Sequence, residues 1–164
     1  MKMTFAKERI YNPICMLIIG FLLGIASRLL DIYTQNLGNI FSQFSIWILI
    51  GTWISIRSST PKKAMCNILL FCIGMLATYY ITASLTHGVY GKIYIIGWTI
   101  FALCSPFFAW CVCFSMRRGL FSLALRCCIL IFSFAAAIVF FDGPRFYDYI
   151  INGILIYILF VRHF

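Results

Sequence analysis

The chain reads as long apolar stretches separated by short polar punctuation. Residues 14–30 and 120–141 each carry a single charge, and neither alternates polar with apolar positions. A membrane β-strand would alternate over about ten residues. A run of about 20 apolar residues instead suits a helix, which satisfies its own backbone hydrogen bonds in lipid. The pattern predicts an all-α, polytopic membrane bundle of six transmembrane helices, at about residues 14–30, 38–56, 64–85, 93–116, 120–141 and 144–161. The loops between them are short and none is rich in Gly and Ser, so the chain reads as one membrane domain over residues 1–164. The two halves show no internal echo that would mark an inverted repeat.

Local signals place the ends. Asn12-Pro13 opens the first span, and Ser58-Ser59-Thr60-Pro61 precedes the third with Pro near the helix start. Pro106 predicts a kink inside the fourth. Arg117-Arg118-Gly119 makes the turn into the fifth. The second span has a polar start (Asn39, Ser42, Gln43). The sixth is apolar only over 149–161, and reaches spanning length if it begins at Pro144 with Asp142 near the N-cap. Arg145 and Asp148 then fall in its first turn. Gly24-Ile25-Ala26 resembles a signal-peptide cleavage site, but Arg28-Leu29-Leu30 continues the helix past it, so the first span reads as uncleaved.

Composition agrees. Hydrophobic residues make up 63% of the chain and charged ones 10%, with a mean hydropathy of +1.00. Soluble domains run near 45–50% and about 25%. The net charge of +9 would suit nucleic acid in a soluble protein, but its distribution points elsewhere. In a six-span arrangement Lys2, Lys7, Arg9, Arg57, Lys62, Lys63, Arg117, Arg118 and Arg162 lie on one side, and Arg28, Lys92 and Arg145 on the other. Basic loops stay cytoplasmic. Both termini are therefore expected in the cytoplasm of a cell whose plasma membrane holds the protein. The inner face should favour anionic lipid headgroups, and no nucleic-acid partner is expected.

The eight cysteines, Cys15, Cys66, Cys72, Cys104, Cys111, Cys113, Cys127 and Cys128, all fall within predicted spans. They read as small apolar residues. A zinc site from Cys111, Cys113, Cys127 and Cys128 would need the fourth and fifth spans to be adjacent. No metal or other cofactor is expected. Arg126 lies inside the fifth span and is expected either to snorkel to the inner interface or to bind a lipid phosphate or another helix. Gly20-x-x-x-Gly24 makes a small-residue face, for packing within the chain or against a partner.

Candidate chemistry gathers at the outer helix ends. Arg28 and Asp31, like Arg145 and Asp148, stand three residues apart and can pair. Asp31, Asp142, Arg145 and Asp148 make up a charged rim. Asn39, Gln43, Tyr79, Tyr80, Trp98 and Asn152 would line the deeper part of an outward pocket for a polar or aromatic ligand. The alternative is a solvated rim with helix caps and an interfacial aromatic belt. Enzyme motifs are absent: there is no HExxH, P-loop or GxGxxG, and Glu8 is the sole glutamate.

Leu30-Asp31-Ile32-Tyr33, the run from Asn36 to Ser42, Trp47-Ile48-Leu49-Ile50-Gly51, Thr78-Tyr79-Tyr80 and Phe141-Asp142-Gly143 resemble small uncharacterised bacterial six-span membrane proteins. In size and span count the chain is also similar in architecture to the substrate-binding subunits of energy-coupling-factor importers, with no ligand motif to carry over. The first expectation is thus a small-solute binding or transport subunit with a cytoplasmic energising partner. The others are a non-enzymatic accessory protein for immunity or regulation, and a lipid-modifying enzyme with Asp142 or Asp148 as base.

Overall fold

A computed structural model describes residues 11–88, 91–141 and 143–161, and their side chains except at 35–37, 140 and 141. Asp142, Tyr90 and the charges of both tails lie outside the described residues. All the regular structure described is helical: α1 Pro13–Tyr33, α2 Gln35–Phe41, α3 Phe44–Arg57, α4 Pro61–Leu85, α5 Lys92–Ser115, α6 Leu120–Phe141 and α7 Phe146–Ile156, with a π-helical turn over Tyr157–Val161. Among the described residues four helices are long and apolar enough to cross a membrane: α1, α4, α5 and α6.

The sequence signals act where expected in these four. Asn12 caps α1, its Oδ1 accepting from the Ile14 and Cys15 amides at 2.7 and 3.2 Å, with Pro13 at the first helical position. Thr60 does the same for α4 through the Lys63 amide, with Pro61 following. Gly119, at φ +130°, turns the chain between α5 and α6, a conformation that glycine adopts without a Cβ penalty. Pro106 sits inside α5, which runs on past it. The amide hydrogen that Pro106 lacks would have gone to Ala102, and the Ser105 hydroxyl donates to that carbonyl instead at 2.7 Å.

The second and sixth expected spans are the short ones. The second is broken at Ser42-Gln43 into α2 and the 14-residue α3. Gln43 has extended backbone (φ −94°, ψ 147°) and directs its amide towards α7. The sixth begins at Phe146 with Arg145 as N-cap, so Asp148 is its third helical residue.

Glycine decides the tightest contact. α1 and α4 run parallel, with Gly20 against the Phe71 carbonyl and Gly24 against Met75 and Thr78. The Thr78 hydroxyl reaches across to the Phe21 carbonyl at 2.9 Å. The small-residue face predicted on α1 thus packs within the chain. α3 lies in the middle, touching α4, α5, α6 and α7. Trp47 and Ile54 of α3 join Met16, Ile68, Phe71 and Met75 in the main core. A second cluster, of Val112, Ile129, Leu155 and Leu159, ties α5, α6 and α7 together.

Candidate functional site

The polar residues expected on the outer side divide, among the described residues, into two groups rather than one pocket. The first joins α1 to α4. Arg28 Nη1 meets Asp31 Oδ2 at 3.3 Å, the pairing expected from their spacing, and Arg28 Nε donates to the Thr86 hydroxyl at 3.1 Å. The Tyr79 hydroxyl donates to the same Asp31 oxygen at 3.0 Å. Tyr80 stands edge-on to Tyr79, with ring centroids 5.4 Å apart. These contacts lock the C-terminal ends of two parallel helices whose middles are already held by glycine.

The second group centres on Asp148, which is fully buried. Its Oδ1 accepts from the Ser45 hydroxyl of α3 at 2.6 Å, and its Oδ2 from the backbone N–H of Arg145 at 2.9 Å. The Gln43 amide nitrogen faces the same carboxylate, 2.5 and 2.7 Å from its two oxygens, because the reverse orientation would set oxygen against oxygen. The Gln43 oxygen then accepts from the Tyr147 hydroxyl at 3.1 Å. That hydroxyl in turn accepts from Arg145 Nη1 at 3.0 Å. Charge is thus relayed from the exposed Arg145 guanidinium through Tyr147 and Gln43 to a carboxylate with no direct basic partner among the described residues. The helix dipole favours a negative charge at this N-terminal end. Asn152, one turn on, donates to the Asp148 carbonyl at 2.9 Å and leaves its own buried Oδ1 without a partner. The expected Arg145–Asp148 pairing is therefore made through the backbone amide and this relay.

Of the other residues singled out, Asn39 is exposed. Trp98 packs on Phe44, at 4.5 Å between centroids. Arg126 is turned towards the end of α5. Its Nε donates to the Ser115 carbonyl at 2.7 Å and its Nη2 to the Arg117 carbonyl at 3.4 Å, with the guanidinium 5.7 Å from the Phe160 ring centroid. Ser122 donates to the same Ser115 carbonyl. A cation on the orphan carbonyls of a helix C-terminus is well placed electrostatically, so Arg126 makes a helix contact.

The feature that sequence reasoning missed is a cavity of about 400 Å³ enclosed by α3, α4, α5 and α6. It is apolar almost throughout. Trp47, Phe71, Phe101, Phe108 and Phe132 supply much of its wall, and none of the outer polar residues reaches it. Phe107, Cys128 and Phe132 belong both to its wall and to the exposed outer surface of α5 and α6, so it opens sideways. Small residues one turn apart make the room: Gly51 and Ser55 on α3, and Ser105 and Ala109 on α5. A Cβ added at Gly51 would meet only Ile68 Cδ1, at 3.7 Å. The sequence carried that signal, but the same spacing at Gly20 and Gly24 makes close helix contact instead.

One residue of the wall holds an unsatisfied polar atom that is itself closed off from the cavity. Thr52 is 2% exposed, and its Oγ1 has no hydrogen-bond partner. Other helical hydroxyls here bond back one turn: Ser27 to Leu23, Ser55 to Gly51, Thr78 to Gly74 and Thr99 to Ile95. Leaving a buried hydroxyl unpaired costs about 1–3 kcal/mol.

Cys111 and Cys128 both line the cavity, on facing helices. Among the described residues no group of three or more His, Cys, Asp or Glu gathers to hold a metal ion. No curated protein and no solved structure matches the chain. The sequence profile of DUF6518, a family of unknown function, matches residues 4–140, a stretch that holds every residue of the cavity wall, and the chain belongs to that family.

Proposed function

We propose that this chain is a six-span protein of the cell membrane that binds a small solute inside its bundle and does no chemistry on it. The cavity carries the reading. Its volume falls within the roughly 300–1,000 Å³ of small-molecule sites, which are mostly apolar with few polar groups. The two shorter apolar helices, α3 and the α7 segment to Val161, complete the six spans in this reading. Arg57, Lys62, Lys63, Arg117 and Arg118 stand at the helix ends that face the cytoplasm, against anionic headgroups. Directional transport would then require an energising partner subunit, since the chain carries no nucleotide-binding motif.

The site differs from the outward polar pocket that the sequence suggests. Gln43, Tyr79 and Asp148 spend their polar atoms on one another and on neighbouring helices, which supports a structural part for the rim. Gly51→Leu tests the reading, because the new side chain projects into the cavity. Native mass spectrometry of protein released from membranes should show a retained lipophilic species on the wild type, at least fivefold depleted in Gly51→Leu. Equal retention by both proteins would contradict the reading.

A further inference from the structure

Granted the binding reading above, the surroundings of the cavity narrow its occupant. The wall offers a ligand little to hydrogen-bond. The hydroxyls of Ser55 and Ser105 are spent on the Gly51 and Ala102 carbonyls, the Trp47 ring N–H on the Phe41 carbonyl, and the Thr52 oxygen is closed off. What enters is therefore hydrocarbon, and the position of the mouth shows where it comes from. Phe107 lies eight residues before the end of α5, and Cys128 and Phe132 lie eight and twelve after the start of α6. By helix rise the mouth is roughly 12–18 Å from the α5–α6 turn. One leaflet of a bilayer contributes about 15 Å of hydrocarbon. The far ends of the lipid chains in the leaflet that the turn faces therefore pass the mouth.

The turn itself is basic. Arg117 and Arg118 are exposed there, and Arg126 reaches it with its Nη2 on the Arg117 carbonyl. Arg57 ends α3 at the same end of the bundle, where Cys113 of α5 meets the Ser55 carbonyl. No Asp or Glu occurs between Lys92 and Phe141 to balance these charges. The Arg117 guanidinium lies 4.2 Å over the Phe114 ring. Stacking uses its face and leaves the in-plane N–H groups for phosphate oxygens. We infer that the cavity holds one acyl chain of an anionic phospholipid, whose phosphate sits on Arg117 and Arg118 and whose chain enters between α5 and α6. The charge of the turn and the depth of the mouth select it together. A neutral lipid lacks the first anchor, and a short apolar molecule gains nothing from the turn.

Retention is read by native mass spectrometry after reconstitution in equal amounts of dioleoyl phosphatidylglycerol and dioleoyl phosphatidylcholine, which share their chains and differ in headgroup charge. Wild type should retain the anionic lipid about 5- to 25-fold over the neutral one, the range for one or two arginines at an anionic headgroup. The double variant Arg117→Gln/Arg118→Gln should lose that preference, and Gly51→Leu should lose both lipids. A phosphatidylglycerol with a diazirine near the end of one chain locates that chain without any variant. Photoactivated, it should label Ile68 and Phe71 in the cavity wall, and the same group placed beside the phosphate should not. Three results would each overturn the inference: equal retention of the two lipids by wild type, a preference that survives in the double variant, or tail-end adducts confined to residues outside the cavity. The binding reading would then stand only on another lipophilic species that wild type retains and Gly51→Leu loses. Absence of that species as well would overturn both.

Discussion

Asp148→Ala should lower stability by about 3 kcal/mol or more, the largest single loss expected from a polar substitution here. The carboxylate gathers the Ser45 hydroxyl, the Gln43 amide and the Arg145 backbone N–H at a site closed to water. Alanine would take the carboxylate from the buried Ser45 hydroxyl and Gln43 amide and from the partly buried Arg145 N–H, and would remove the side chain that ties the start of α7 to the start of α3. For a chain of this size the loss corresponds to roughly 6–12 °C in Tm, read as thermal unfolding in detergent. Ser45→Ala alone should cost about 1 kcal/mol. The double variant should cost less than the sum of the two, because Ser45 no longer has a lost partner to miss. A Tm within 2 °C of wild type for Asp148→Ala would show that α7 is held by its apolar face alone.

Gly24→Val should be comparably damaging by a different route. A Cβ at Gly24 would overlap both the Met75 carbonyl oxygen and the Thr78 hydroxyl, and one at Gly20 the Phe71 carbonyl. Most of these are backbone atoms, so α1 and α4 must move apart along their length. That movement strips the Thr78–Phe21 hydrogen bond and strains the Arg28–Asp31–Tyr79 group at the C-terminal ends of the two helices. The expected cost is about 3 kcal/mol, at the upper end of overpacking. Gly97 is the control, since a Cβ there meets nothing within 4 Å. Gly97→Ala should be neutral or slightly stabilising, by up to about 1 kcal/mol of helix propensity. Equal melting of Gly24→Val and wild type would mean that the two helices do not touch along this face.

Much of the helical layout was legible because its causes are local. Asn12-Pro13 and Thr60-Pro61 set helix starts by capping within four residues, and α6 covers the same 120–141 that the apolar run marks. The break at Gln43 was not legible. It answers to Tyr147, 104 residues away, and no local signal in the sequence announces that pairing. For the same reason Asp142, the nearer acidic residue to Pro144, looked like the cap of the last helix, whereas Arg145 holds that position. Polar residues at the outer ends suggested a pocket by their number. Folding turns Gln43 and Tyr79 onto carboxylates of their own chain, which only the helix arrangement could reveal. The cavity stayed hidden because a small residue records only missing volume. Whether a neighbouring backbone fills that volume, as at Gly20, or leaves it empty, as at Gly51, depends on how the helices cross.

The central claim is a space inside the bundle that is open to the bilayer. A small apolar diazirine, photoactivated in membranes and mapped by peptide mass spectrometry, tests it directly. Adducts are predicted on Trp47, Ile68 and Phe71, which are 4%, 4% and 2% exposed yet line the cavity, alongside those on lipid-facing side chains. Met16 and Leu155, as deeply buried but not part of its wall, should stay unlabelled. Labelling confined to the lipid-facing side chains would contradict the account.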